Sequence, residues 1–511
     1  MKAAQSLLAL ASREGIRACF ANPGTSEMHL VAALDSAPAI RPVLCLFEGV
    51  ATGAADGYGR MAQAPALTLL HLGPGLSNGL ANLHNAYRAK TPIVSLVGEH
   101  ATYHRANNPP LASDIVSIAK PVSSWLKTVE APNQLLDLAL EAIEAAHKTG
   151  PATLILPADV AWSDEELKAP TQRERREETF DATCLEETAH LLGPRTLLLL
   201  GGRFLSASAC AAAQRIGAKT GALVLIETFP VRVRREGPAA ALRRLPYLSE
   251  MAASTLANID TIVLAGAAYP VAFFALPGRP TKLAPEHARV LDLVAPGSTI
   301  EGALNTLASI LQAPETEPSI VARPTRPENG GAIDPTSLAQ SIASTMPENA
   351  IVCDESNTAG LFCYDAAAAA APHDWLTLTG GSIGQGLPLA TGAAVACPDR
   401  RVLALEADGS ALYTIQALWT QAREGLNVTN VILNNGAYAI LRLEMMRAGV
   451  NELSEAASAL FDLKRPAIDF CAIARGFGVP AERVETPTKL VAALERSYAA
   501  SGPALIEVMI R

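Results

Sequence analysis

Residues 402–410 read Val402-Leu403-Ala404-Leu405-Glu406-Ala407-Asp408-Gly409-Ser410, and residues 431–438 read Val431-Ile432-Leu433-Asn434-Asn435-Gly436-Ala437-Tyr438. Each is an apolar run of buried-strand length that stops in a polar turn. Asp408 and Asn435 stand 27 positions apart, about one helix plus the next strand. That spacing predicts neighbouring parallel strands with their polar ends side by side. Ligands of doubly wound sheets gather at the carboxyl ends of the strands. A carboxylate, an amide oxygen and a turn carbonyl form a hard oxygen set. Such a set suits Mg²⁺, which takes few protein ligands and fills its shell with phosphate oxygens and water. The Gly409-Ser410 turn opens a helix, and the N–H groups of a helix start can receive a diphosphate.

The same alternation of short apolar runs and helical patterns extends through the chain. Strands are expected at residues 66–72, 93–98 and 152–157, at 196–201, 222–226 and 261–265, and at 350–353, 401–406, 428–433 and 504–509. Apolar runs separated by helices imply parallel sheets covered on both faces. Two stretches without periodicity, 163–183 and 313–335, read as exposed linkers. The expected architecture is therefore α/β, with three doubly wound parallel-sheet domains at 1–163, 184–313 and 336–511.

Composition narrows the function classes. The 511 residues are 49% hydrophobic and carry a formal charge of −9, so a phosphate-tracking nucleic-acid surface is not expected. The basic residues at 173–176 alternate with Glu and read as a solvated connection. The eight cysteines form no CxxC pair, which argues against zinc and dithiol chemistry and fits a reduced, cytoplasmic setting. No cleavable leader and no membrane span is expected.

Five further segments carry candidate chemistry. Glu48 follows the apolar residues 44–47 and opens a helix of mostly small residues, where a carboxyl is partly desolvated and placed for proton exchange. Asn22-Pro23-Gly24-Thr25-Ser26-Glu27 reads as a tight turn before a helix, capped by Thr25 or Ser26. His71 stands at a strand end, before the Gly73-Pro74-Gly75 turn. Thr379-Gly380-Gly381-Ser382-Ile383-Gly384-Gln385-Gly386 is a glycine-rich loop ahead of a helix, and residues 354–358 follow a strand and are expected to cap another helix.

The 408–435 pair resembles the signature of thiamine-diphosphate-dependent enzymes, in which Gly-Asp-Gly is followed some 25–30 residues later by Asn-Asn. Ala407 stands where that family usually has glycine. The resemblance implies thiamine diphosphate and Mg²⁺, with Asp408, Asn435 and the Ala437 carbonyl on the metal. It implies that Gly409, Ser410, Asn357 and Thr358 meet the diphosphate, with Tyr438 among the cofactor contacts. Gly381 would offer a carbonyl to the aminopyrimidine, and Ile383 would wedge the cofactor into its bent shape. Glu48 would be the catalytic acid, with His71 and Thr25 beside it in the catalytic group.

Within the family the chain is similar to benzoylformate decarboxylases at Asn22-Pro23-Gly24, Leu70-His71, Leu418-Trp419-Thr420 and Asn435 to Tyr438 with Leu441-Arg442. It is similar to acetolactate synthases at residues 73–78 and at Tyr58-Gly59-Arg60. Two departures stand out. Residues 266–274 hold no histidine, and Glu444 stands where those decarboxylases carry a large aromatic; both count against an aryl 2-oxo acid. The implied activity is decarboxylation of a 2-oxo acid, with the remaining fragment protonated to an aldehyde or joined to a second carbonyl compound. The alternative is an acetolactate-synthase-like transferase joining two 2-oxo acids, or a 2-oxo acid and an aldehyde. FAD in the middle domain is possible but not supported by Gly201-Gly202-Arg203. An NAD-linked oxidoreductase would need a GxGxxG turn that residues 380–386 lack, and a non-catalytic scaffold would have no use for Glu48. The resemblance also implies a homodimer or homotetramer, with sites at subunit interfaces.

Overall fold

The structure is a computed structural model that describes residues 2–168, 170, 182–293, 299–315, 324–328, 330–450 and 452–510. Most of the first expected linker, including residues 173–176, and residues 316–323 and 329 of the second lie outside the described residues.

Three sheets form the frame. The first contains β1 (Ala18–Ala21), β2 (Arg41–Leu44), β3 (Ala66–Leu70), β4 (Ile93–Glu99), β5 (Trp125–Thr128) and β6 (Ala152–Pro157), in the order β2-β1-β3-β4-β6-β5. The next strands in the chain are β7 (Thr196–Leu200), β8 (Leu223–Ile226), β9 (Arg232–Arg235), β10 (Thr261–Ala265) and β11 (Arg289–Asp292). Four of them make the second sheet, β11-β10-β7-β8. The last six are β12 (Ala350–Glu355), β13 (His373–Thr377), β14 (Val402–Ala407), β15 (Val428–Asn434), β16 (Ala481–Val484) and β17 (Ala504–Met509). With β9 they form the third sheet, β16-β17-β15-β14-β12-β13-β9. The three-sheet α/β expectation holds. Each pair of neighbours is parallel except β9 with β13, which is antiparallel. That exception lends a strand from the middle of the chain to the third sheet.

Strands β3, β4, β6 and β7 are buried at every position, as a sheet covered on both faces requires. The Glu48–Ala62 helix is buried from Glu48 to Met61 and packs on the Gly386–Ala396 helix of the third unit. The glycines explain how closely they approach. A Cβ on Gly57 would lie 1.9 Å from the Leu389 carbonyl oxygen, and one on Gly392 would lie 1.7 Å from that of Ala54. Gly57→Ala should therefore cost about 1–3 kcal/mol through overpacking. A lowered melting temperature with unchanged far-UV circular dichroism would show it; an unchanged melting temperature would refute it.

Buried charges lock the same junction. Arg60 pairs with Asp56 at 2.7 Å, both side chains fully buried, and donates to the Thr377 carbonyl at 2.8 Å. Gln385 Nε2 donates to Asp56 at 2.5 Å, and Arg232 pairs with Asp374 at 2.7 Å. Buried ions persist only when paired and hydrogen-bonded, so these contacts fix how the three units meet. No helix among the described residues is long and apolar enough to cross a membrane.

Candidate active site

β14 and β15 lie side by side in the register Ala407↔Leu433, so both polar turns emerge at one sheet end. Asp408 joins them. Its Oδ1 accepts the Gly409 N–H at 2.8 Å, and its Oδ2 accepts those of Gly436 at 2.7 Å and Asn435 at 3.1 Å. Asn435 Oδ1 accepts the Ala437 N–H at 2.8 Å, a turn that holds the amide beside the carboxylate. Asp408 is 3% exposed. Burial pushes its carboxyl up from the usual range, while the backbone N–H donors pull the other way. Among the described residues no cationic side chain pairs with it. A buried carboxylate with a neighbouring amide oxygen and no counter-charge is a donor set that fits a hard divalent cation. Ala407 caps the Asp408–Thr414 helix in extended backbone, so its methyl is no obstacle to this geometry. A cavity of about 640 Å³ borders Asp408, Asn435 and Gly436 and continues past Lys464, Arg483 and Glu485.

The residues expected to meet the diphosphate lie in the neighbouring turns. Asn357 Nδ2 donates to Ser410 Oγ at 3.1 Å, and Thr358 is half-buried beside it. Residues 354–358 do not cap a helix as expected. Asn357 takes a left-handed φ of 51°, Asp354 caps a local turn through Ser356, and the helix begins only at Cys363. Gly409 has a steric reason: a Cβ there would lie 2.4 Å from Tyr438 Cε1, so the Tyr438 ring covers the turn.

The glycine-rich loop is held from the first unit. Asn85 donates to the Ser382 carbonyl at 2.7 Å and accepts the Ser382 N–H at 3.1 Å. Asn82 donates to the Gly49 carbonyl at 2.8 Å and to that of Gly384 at 3.3 Å, which brings the Glu48 helix start beside the loop. Gly381 has φ 73°, and a Cβ on it would lie 2.4 Å from Phe273 Cζ. Phe273 belongs to a ring cluster with Phe229, Phe274 and Tyr247, at centroid separations of 5.7, 5.0 and 5.8 Å. The stretch without histidine thus delivers an aromatic to the loop. Ile383 is half-buried there.

Glu48 is 8% exposed, and its Oε2 accepts the Asn78 amide at 3.0 Å. Gly75 lies between Glu48 and His71: a Cβ on it would be 3.2 Å from Glu48 Oε1 and 3.2 Å from His71 Cβ. His71 Nδ1 is 2.9 Å from Ser26 Oγ and 3.1 Å from Glu27 Oε2. Glu27 is fully buried, and Ser26 also donates to it. Neither Ser26 nor Glu27 was an expected site residue. The available signal is Gly98 on β4, where a Cβ would lie 1.8 Å from Glu27 Oε1. The helix-cap expectation is also corrected. Gly24 caps the short Thr25–Glu27 turn, with its N–H donating to Glu27 Oε2 at 2.9 Å. Thr25 is exposed, and Ser26 is the hydroxyl that meets His71.

Glu444 is not a free charge. Arg447 binds both of its oxygens at 2.7 and 2.8 Å, and Tyr247 donates to it at 3.4 Å. In the second unit, the Glu227 carboxylate accepts the N–H groups of Gly202 and Ala268, and burial pushes it up to about 8. It fills the crevice between the turns after β7 and β10. Among the described residues no hydrogen bond or ion pair joins the Glu48–His71 group directly to the Asp408–Asn435 group; Asn82 and Gly384 stand between them.

Family models for the N-terminal and C-terminal TPP binding domains of thiamine pyrophosphate enzymes match residues 1–118 and 359–508. The chain is 48% identical over 520 residues to a Mycobacterium tuberculosis protein named as a candidate acetolactate synthase large subunit, covering 100% of this chain and 99% of that one. It is 29% identical over 521 residues to a benzoylformate decarboxylase of Pseudomonas aeruginosa, covering 97% of this chain and 96% of the other. Its structure superposes on the thiamine diphosphate-dependent 4-hydroxybenzoylformate decarboxylase of Rhodococcus jostii with TM-score 0.86 and 25% identity, over 100% of this chain and 99% of that one. Two TPP-binding units at opposite ends of the chain, together with the full-length similarity, place this protein in the thiamine pyrophosphate enzyme family, as an enzyme related to benzoylformate decarboxylases and acetolactate synthases.

Proposed function

We propose that this chain is a Mg²⁺- and thiamine-diphosphate-dependent enzyme that decarboxylates a 2-oxo acid and then protonates the remaining fragment or joins it to a second carbonyl compound. The observation that carries the reading is the pair of proton-handling groups, Glu48 and His71, on either side of Gly75. Asp408, Asn435 and the Ala437 carbonyl would hold the metal. Gly409, Ser410, Asn357 and Thr358 would hold the diphosphate, and Gly381, Ile383 and Tyr438 would hold the rings. Thiamine diphosphate, when bound, supplies the nucleophilic carbon and the electron sink.

The chain's own residues supply the proton chemistry. Asn78 occupies Glu48 Oε2, which leaves Oε1 to take up and return a proton. Glu27 accepts from His71 Nδ1, which leaves Nε2 to handle the proton on the substrate oxygen. Thr25 stays a candidate at the rim of this group. The Phe273 ring lies over Gly381 and adds apolar surface beside the glycine loop.

The ring cluster and the paired Glu444 favour an uncharged, apolar substrate side chain. The acetolactate-synthase-like alternative draws on the 48% identical relative. The middle domain is read without a flavin, because the Glu227 carboxylate already occupies the N–H groups that would receive a phosphate. Domains at 1–163, 184–313 and 336–511 follow the three sheets, with β9 crossing to the third. A homodimer or homotetramer would complete the site, since among the described residues no hydrogen bond or ion pair joins the acid–base group directly to the Asp408–Asn435 turn. The eight cysteines are unpaired, which supports a reducing cytoplasm.

One panel of 2-oxo acids, supplied with Mg²⁺ and thiamine diphosphate, tests the reading. CO₂ release from at least one acid is expected. Ligated product matching the CO₂ would select the synthase-like branch, and aldehyde would select the decarboxylase. No acid consumed, despite tight cofactor binding, would overturn it.

A further inference from the structure

Glu355 is the most heavily bonded carboxylate around the glycine loop. It ends β12, is 2% exposed, and faces the start of the Gly386–Ala396 helix. Oε1 accepts the Gly384 N–H at 2.7 Å, and Oε2 accepts those of Gln385 at 2.7 Å and Gly386 at 2.6 Å. The Ser410 hydroxyl lies beside the same carboxylate and favours its ionised form. Ser410 is in turn bonded by Asn357, and the Gly384 carbonyl accepts from Thr414 and Asn82. One side chain therefore joins the turn that would meet the diphosphate to the loop that would meet the aminopyrimidine.

Resting on the functional reading above, we propose that Glu355 is a positioning residue that sets the distance between the diphosphate end and the pyrimidine end of the cofactor site. The chemistry favours a carboxylate here over any neutral side chain. Three backbone N–H groups converge on two oxygens, with the Ser410 hydroxyl beside them, which uses acceptor capacity on both oxygens that an amide lacks. An amide would turn its NH₂ toward one or two N–H groups of the loop. Burial pushes the Glu355 carboxyl up to about 7, and the three backbone N–H groups and Ser410 act against that shift and favour the ionised form. The neighbouring strand presents Glu406 in register with Glu355, and Gly386 makes room for it: a Cβ there would lie 2.0 Å from Glu406 Oε2. Glu355 makes no hydrogen bond to Asp408, Asn435, Glu48 or His71, so it acts through the loop backbone and the Ser410 hydroxyl beside it.

The test compares two ligands, thiamine diphosphate and inorganic pyrophosphate, each with Mg²⁺, in the full-length protein and in Glu355→Gln. Because hydrogen bonds to a charged group are the stronger kind, the variant should bind thiamine diphosphate about tenfold or more weakly. The loss for pyrophosphate, which engages only one end, should be smaller. Equal losses for the two ligands, or no loss, would overturn the proposal. Wild-type protein that failed to bind thiamine diphosphate at all would instead sink the functional reading. If Glu355→Gln does not fold, Ser410→Ala gives a second measurement. Removing that hydroxyl should speed amide hydrogen exchange at Gly384, Gln385 and Gly386, and unchanged exchange there would overturn the proposal.

Discussion

Glu48→Gln is expected to cut turnover of a 2-oxo acid by about 10²–10⁴-fold, the range that a positioned general acid–base group contributes. The substitution keeps the volume and the Asn78 partner, since an amide oxygen can still accept at 3.0 Å. It removes only the ability to hold and release a proton at Oε1. Thiamine diphosphate affinity and melting temperature should therefore stay near wild type. The check is steady-state CO₂ release beside a cofactor titration in the same preparation. Wild-type turnover in the variant would remove Glu48 from the mechanism, and so would a loss explained wholly by lost cofactor.

Asp408→Asn should weaken Mg²⁺-dependent cofactor binding by more than about tenfold, since disturbing even the groups around a metal's ligands costs 10–100-fold. Two effects add. The formal charge that would face the cation is lost, and the new NH₂ opposes either the Gly409 N–H or those of Asn435 and Gly436, which now converge on the carboxylate. The second effect also displaces the turn carrying Asn435. Burial disfavours the charged form of Asp408, which partly offsets the lost N–H contacts, so apo-protein stability should fall only modestly. Equilibrium dialysis of thiamine diphosphate with Mg²⁺ measures the loss. Wild-type retention of the cofactor would contradict the assigned role.

The fold was largely legible because buried parallel strands are short, continuous apolar runs. All ten expected strands are present, with ends shifted by a few residues. β13 was hidden because it begins His373-Asp374, two polar residues buried against Arg232, Arg234 and Arg400 rather than against solvent. β9 is a run of arginine and valine whose strand character depends on β13, far away in sequence. The pairing of the Asp408 and Asn435 turns was legible because both halves are local motifs. Glu27 and Glu355 were not, because each is a lone glutamate in its segment and becomes informative only when folding buries it among convergent donors. Glycine marks both places: Gly98 yields to Glu27 and Gly386 to Glu406 beside Glu355, yet a glycine in a strand or at a helix start says nothing by itself about which side chain fills its space. Glu444 shows the converse. In sequence it is a stray charge beside the substrate pocket, while in the fold Arg447 and Tyr247 satisfy it.

The central claim is that the Asp408–Asn435 turn anchors thiamine diphosphate through a divalent metal. Calorimetric titration of the metal-stripped protein with thiamine diphosphate, with and without Mg²⁺ and with NAD in a parallel run, tests it most directly. The account predicts saturable thiamine diphosphate binding that appears with Mg²⁺ and disappears on chelation, and no heat from NAD. Binding indifferent to Mg²⁺, or NAD binding without thiamine diphosphate binding, would contradict it.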